Sequence, residues 1–121
     1  MFETQAKPQG APLSKARRAG PLLFVSGQLP RDASGKIVAG DIAVQARQAL
    51  DNLQAVLADH GATPAQVVKV NVWLTDAADF AAFNQAYRER FDEPFPARSL
   101  VISGLVAKGA KVEVEAIAFL G

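Results

Sequence analysis

Few residues in this chain are equipped for chemistry. Arg98 stands in Pro96-Ala97-Arg98-Ser99, and Glu113 and Glu115 alternate with valines in Lys111-Val112-Glu113-Val114-Glu115. A guanidinium is a planar, permanently charged fork that can hold a carboxylate through two parallel hydrogen bonds. A carboxylate within reach of a water molecule can act as its general base. Glu113 and Glu115 lie two residues apart in a strand-like run, so both point to one sheet face, and residue type leaves either available for that task. Ser26 and Asn84 could orient a ligand or water by hydrogen bonding. Taken singly, a serine before Gly27 fits turn chemistry, Asn84 fits a solvent-facing helix position, and Arg98 fits a solvated strand arginine or an ion pair between subunits.

What is missing narrows the chemistry further. Cysteine is absent, which excludes disulfides, thiolate nucleophiles and cysteine-ligated metals. With His60 as the single histidine, an ordinary zinc site is not expected. His60 falls in the last turn of a predicted helix, where the helix dipole favours partial positive charge, and this accounts for it without catalysis. Thirteen basic and twelve acidic residues give a net charge of +1, and the short basic cluster Lys15, Arg17 and Arg18 lies in a segment resembling an edge strand. Cations there block unwanted strand pairing, so nucleic acid is not the favoured partner. Half of the residues are hydrophobic, yet no run approaches a membrane span. Met1 to Pro8 lacks the basic start and apolar stretch of a secretory signal, which makes a cytoplasmic location the expectation.

The elements that must position these residues follow from periodicity. Leu22 to Val25 has a buried-strand pattern, preceded by a Gly20-Pro21 turn that lets Leu13 to Arg18 fold back as a hairpin partner. Asp32 to Gly35 is a further turn. From Asp41 to His60, the positions Ile42, Ala46, Ala49, Leu50, Leu53 and Leu57 keep helical spacing, with Asp41 as cap and Gly61 as stop. Val68, Val70, Val72 and Leu74 alternate with Val67, Lys69, Asn71 and Trp73, predicting a strand with one apolar and one mixed face. Asp76 and Asp79 open a second helix whose stripe of Phe80, Phe83, Tyr87 and Phe91 is read as core packing, and Pro94 and Pro96 stop it. Strands over Arg98 to Ile102 and Lys111 to Ala118 complete one domain spanning residues 1–121. Right-handed crossovers put both helices on one sheet face. Trp73 and Ile117 are left on the open side, and covering that apolar face calls for oligomerisation.

Four stretches resemble the RidA (YjgF-type) family of reactive imine and enamine deaminases. They are Phe24-Val25-Ser26-Gly27-Gln28-Leu29-Pro30; Val68 to Asp76; Phe80 to Tyr87; and Pro96-Ala97-Arg98-Ser99 leading to Val112-Glu113-Val114-Glu115-Ala116-Ile117-Ala118. The resemblance covers nearly the whole chain in family order and spacing. It implies a chorismate-mutase-like α+β fold, with a mixed sheet and two helices on one face. It also implies a homotrimer whose open sheet faces form a central barrel, with sites in the clefts between subunits. Arg98 to Ile102 and Lys111 to Ala118 look like hairpin partners, but Ser103 to Ala110 is too long for a tight turn. The family fold instead slots the last strand antiparallel between the first and second main strands, which places Glu115 near Ser26.

By the same resemblance, the chain hydrolyses 2-imino acids of the 2-iminopropanoate and 2-iminobutanoate type to 2-keto acids and ammonia. Arg98 grips the substrate carboxylate, Glu115 holds the attacking water, and Ser26 and Asn84 complete the site. No cofactor or metal is implied; the imines come from pyridoxal-phosphate-dependent dehydratases that keep their own cofactor. Two positions depart from the commonest family pattern, and both are expected in the pocket wall: Leu13 replaces a tyrosine, and Leu100 replaces a cysteine two residues after the arginine. Losing the cysteine is tolerable because water attack needs no covalent nucleophile. Losing the tyrosine hydroxyl is expected either to weaken turnover of the usual imines or to redirect the site towards more apolar ones. The alternatives are a divergent member acting on another imine or small acid, and a non-catalytic carboxylate-binding or chaperone-like trimer. Ribonuclease activity, also attached to the family by name, has least support, because there is no histidine pair and charge is balanced.

Overall fold

A computed structural model describes residues 10–121, so the Met1 to Pro8 stretch considered for a signal lies outside the described residues. Gly20, at φ 57°, and Pro21 turn the chain between β1 (Ala16–Ala19) and β2 (Leu22–Gln28). Helix α1 (Ile42–Asp59) follows, then β3 (Val67–Leu74), α2 (Phe80–Arg88), β4 (Ala97–Ile102) and β5 (Val112–Phe119). The sheet runs β1-β2-β5-β3-β4, with β3 and β4 parallel and the other neighbours antiparallel. The last strand therefore lies between β2 and β3, as the resemblance implied, and is not a hairpin partner of β4. Helices α1 and α2 serve as the crossovers that bring β2, β3 and β4 into parallel alignment.

One face of the sheet builds the core. Leu23, Val25, Val70, Val72, Leu74, Val112, Val114, Ala116 and Ala118 are buried there against Ala46, Ala49, Leu50, Leu53 and Leu57 of α1 and Phe83 and Tyr87 of α2. Asp41 caps α1 by accepting from the Val44 amide, and Gly61 leaves the helix at φ 72°. His60 Nδ1 lies 3.0 Å from the Val56 carbonyl oxygen, so the histidine closes the helix end. The opposite sheet face carries Phe24, Ile117, Lys69, Asn71, Trp73 and Glu115.

Three expectations are corrected. Val68 does not join the inward face: Val67 pairs with Ala118 and Lys69 with Ile117, so a β-bulge inserts one extra residue. Val67 is buried and Val68 is left 47% exposed. Helix α2 ends at Arg88, before the prolines. Glu89 and Arg90, just beyond it, pair instead with Arg47 and Asp51 of α1. Phe80 is the third correction, because it remains 46% exposed while Phe83, Tyr87 and Phe91 are buried.

Helical spacing also passed over Gln45, a buried polar residue at 2% exposure. Its Nε2 donates to the carbonyls of Val38 and Gly109, and its Oε1 accepts from the Lys111 amide at 2.7 Å. One side chain thus ties α1 to the loop before it and to the entry of β5. Gln45→Leu keeps the volume but orphans three backbone groups. It should lower unfolding free energy by about 3 kcal/mol or more, read from chemical denaturation.

Candidate functional site

Arg98 reaches its position because Pro94 and Pro96 favour extended backbone ahead of β4. Its register partner is Val70, so Arg98 faces the helices. There α2 presents Phe80, Phe83, Asn84 and Tyr87 at positions i, i+3, i+4 and i+7, all on one helix face. The guanidinium lies 4.8 Å from the Tyr87 ring centroid, 5.6 Å from Phe83 and 5.9 Å from Phe80. Nη2 donates to Asn84 Oδ1 at 2.7 Å. The aromatic stripe is therefore also a platform for a cation, a role that core packing alone did not suggest.

This platform borders a cavity of about 230 Å³ lined by Asn84, Tyr87, Arg88, Phe95, Pro96 and Arg98. Tyr87 Oη is buried without a hydrogen-bond partner. Burial pushes its pKa up to about 12 against the opposing pull of Arg98, so the phenol is neutral at physiological pH. Among the described residues no carboxylate pairs with Arg98.

Glu115 occupies the other side of the sheet. It is registered with Asn71, and Asn71 Nδ2 donates to Glu115 Oε1 at 3.0 Å. Both line a larger cavity of about 690 Å³, shared with Leu13, Arg17, Ser26 and Lys69. The Ser26 hydroxyl donates to the Ser14 carbonyl, which fastens the segment bearing Leu13 to β2. Ser26 can therefore offer its oxygen to a ligand, while its proton is already engaged.

Glu113 shares the face of Glu115 but lines neither cavity. Its carboxylate packs on Gly27 so closely that a Cβ added there would collide with Oε2. Burial raises its pKa, with the Glu115 charge adding to the shift and Arg31 opposing it. The two glutamates that sequence left equivalent are thus held differently, and only Glu115 lines a cavity.

The structure brings Leu13, Ser26 and Glu115 together at one cavity and Arg98 and Asn84 at another. Leu100 shares the Arg98 face but lines neither, packing partly buried against the core because it is registered with Val72. Arg98 and Glu115 belong to opposite faces of the sheet within one copy. Sequence reasoning missed Asn71, Lys69, Arg17 and Tyr87. The signal for Asn71 and Lys69 was their polarity on the mixed face of β3.

The family model for endoribonuclease L-PSP, that of the YjgF/RidA family, matches residues 4–120. The chain belongs to the RidA family. A RutC family protein of Pyrococcus horikoshii is 45% identical over 118 residues, covering 97% of this chain and 93% of that protein. A Bos taurus protein named 2-iminobutanoate/2-iminopropanoate deaminase is 40% identical, covering 91% of this chain and 81% of its own length. Escherichia coli TdcF, solved with bound serine, superposes with a TM-score of 0.83 at 37% identity, covering 97% of this chain and 95% of that one. RidA membership thus rests on the full length of the α+β domain, while the names within the family range from deaminase to endoribonuclease. Among the described residues no helix is long and apolar enough to cross a membrane, and no group of three or more His, Asp or Glu side chains is placed to hold a metal.

Two substitutions probe the two sides of the sheet. Tyr87→Phe removes an unpartnered hydroxyl while keeping the ring beneath Arg98, so thermal stability should hold or rise by up to about 1 kcal/mol equivalent. A marked drop would show that the hydroxyl has a partner. For Glu113 the folded-state pKa lies above the unfolded value, so its contribution to stability falls as pH rises through the carboxylate range. Glu113→Gln should therefore match the parent at about pH 3 and exceed it in denaturation midpoint at about pH 7.

Proposed function

We propose that this protein hydrolyses 2-imino acids of the 2-iminopropanoate and 2-iminobutanoate type, at a site completed between copies of the chain. The observation carrying this reading is the opposed placement of two prepared half-sites. Arg98, unpaired with any described carboxylate, is held over aromatic rings on one face, and Glu115, oriented by Asn71, opens on the other. A homotrimer of the chorismate-mutase-like kind, with the open sheet faces around a central barrel, would cover Trp73 and let Arg98 of one copy meet Glu115 of the next. The name of the bovine relative and the serine bound to TdcF support a small ligand bearing an α-carboxylate.

In this reading the guanidinium fork takes the substrate carboxylate in a bidentate pair, strengthened by the low-dielectric aromatic setting. A water held by the free oxygen of Glu115 adds to the C=N carbon as the glutamate accepts its proton and passes it to the imine nitrogen. The resulting carbinolamine collapses when its hydroxyl proton returns through Glu115 to the nitrogen and the C–N bond breaks. One water is consumed and one ammonia released, leaving the 2-keto acid. The chemistry calls on no cofactor, and imines of this class arise from pyridoxal-phosphate-dependent dehydratases. A binder without turnover would need the Arg98 half alone; the Asn71-held carboxylate favours the enzyme. A ribonuclease reading gains nothing from His60, which borders neither cavity.

Complementation tests the shared site. Arg98→Lys should weaken 2-keto acid binding and cut kcat/KM, and Glu115→Gln should lower kcat by about 100-fold or more with a smaller effect on binding. When the two variants are co-expressed under different tags and doubly tagged trimers are isolated, one interface in each carries both native residues. Ammonia release should therefore recover to about one-third of the native rate. Light scattering should give about three chain masses. Absence of recovery in such mixed trimers would rule out a site shared by Arg98 of one copy and Glu115 of the next.

A further inference from the structure

The larger cavity carries charge that the hydrolysis of a simple imino acid leaves unused. Across the open sheet face Arg17 is registered with Phe24, Phe24 with Ile117, and Ile117 with Lys69. All four line the cavity, with Leu13 at its rim. At the usual strand spacing the two cationic residues begin about 14 Å apart, so their long side chains flank an apolar floor from either end. Glu115 lies in the neighbouring row, two residues from Ile117 on the same face.

Neither cation has an acidic partner among the described residues, whose ion pairs are Arg47 with Glu89 and Arg90 with Asp51. Lys69 Nζ is oriented by donating to Ser99 Oγ at 3.0 Å. Edge protection explains Arg18, which alternates to the other side of β1 and donates to the Gly20 carbonyl. It does not explain why Arg17 is turned over a cavity. The one carboxylate in the cavity, Glu115, is already engaged by Asn71.

We infer that Arg17, with Lys69 adding positive charge from the opposite end of the cavity, forms a second anion subsite, selecting imino acids whose side chain also ends in a carboxylate. The inference rests on the proposed reading of the Glu115 cavity as the reaction site. Arg98 takes the α-carboxylate, as before. The methylenes of the side chain then lie along Phe24 and Ile117, and the terminal carboxylate meets Arg17. A dianionic substrate would otherwise be repelled by Glu115, and the flanking cations offset that repulsion. The reaction class supplying such a substrate is oxidation or dehydrogenation of an acidic amino acid to its imine.

Two ligands with the same five-carbon chain separate this subsite from general affinity: 2-oxoglutarate, which has the terminal carboxylate, and 2-oxopentanoate, which lacks it. Calorimetric titration of the native protein should show 2-oxoglutarate binding about tenfold more tightly, with the preference shrinking as salt is raised. Arg17→Gln should bring the ratio of the two dissociation constants close to one, and Arg17→Lys should restore part of it. Equal binding of both ligands by the native protein, or a ratio that Arg17→Gln leaves intact, overturns the inference. Ammonia release from the imines of glutamate and norvaline, measured on the same proteins, tests the hydrolase reading separately. If neither imine is turned over while the Arg17-dependent ratio persists, hydrolysis fails and the subsite stands.

Discussion

The whole arrangement depends on β5 being hydrogen-bonded on both sides, to β2 and to β3. Its inward residues Val112, Val114, Ala116 and Ala118 supply the centre of the core, and its outward residues Glu113, Glu115 and Ile117 supply the centre of the open face. Strand alternation then fixes the rest. Because Glu115 is opposite Asn71 and Arg98 is opposite Val70, consecutive residues of β3 send the two candidate reactive groups to different sides. No side-chain rotation within one copy undoes that parity, and a one-residue slip of β5 would put glutamates where Val112 and Val114 are buried.

The two half-sites have opposite physical characters. The Arg98 side is small, aromatic and supported by a helix, so its cation is positioned before any ligand arrives. The Glu115 side is wide and bordered by the segment that Ser26 fastens at Ser14. One side is suited to fixing a common feature of many substrates, and the other to discriminating among their side chains. Leu13 at that wider rim is well placed to influence such discrimination, whereas Leu100, packed against the core, is not.

Much of this was legible in sequence. The alternation in Val112 to Ala118, the cap at Asp41 and the turn at Gly20 each follow from local physics, and the structure has them all. The position of β5 was not legible from periodicity, since pairing between strands distant in sequence leaves no local trace; the family resemblance supplied it. The bulge at Val68 and the exposure of Phe80 escaped for a related reason. Each is decided by tertiary packing: the register of Ala118 and Ile117 in one case, the way α2 lies on the sheet in the other. Gln45 looked like an ordinary polar helix position, and only loops remote in sequence reveal what its amide satisfies.

A chain emerging from the ribosome completes β2 and β3 long before β5 exists. Until then each presents an unpaired backbone edge beside a row of buried-type valines and leucines, in the gap that the final strand will fill. Early association with another nascent chain at that gap would be in direct competition with correct folding. The charged alternation of Glu113 and Glu115 in the arriving strand favours its insertion in one facing only, since the reverse would bury both carboxylates against α1. Glu115, proposed to manage water in the finished site, thus also acts with Glu113 as the orientation key for the last step of assembly.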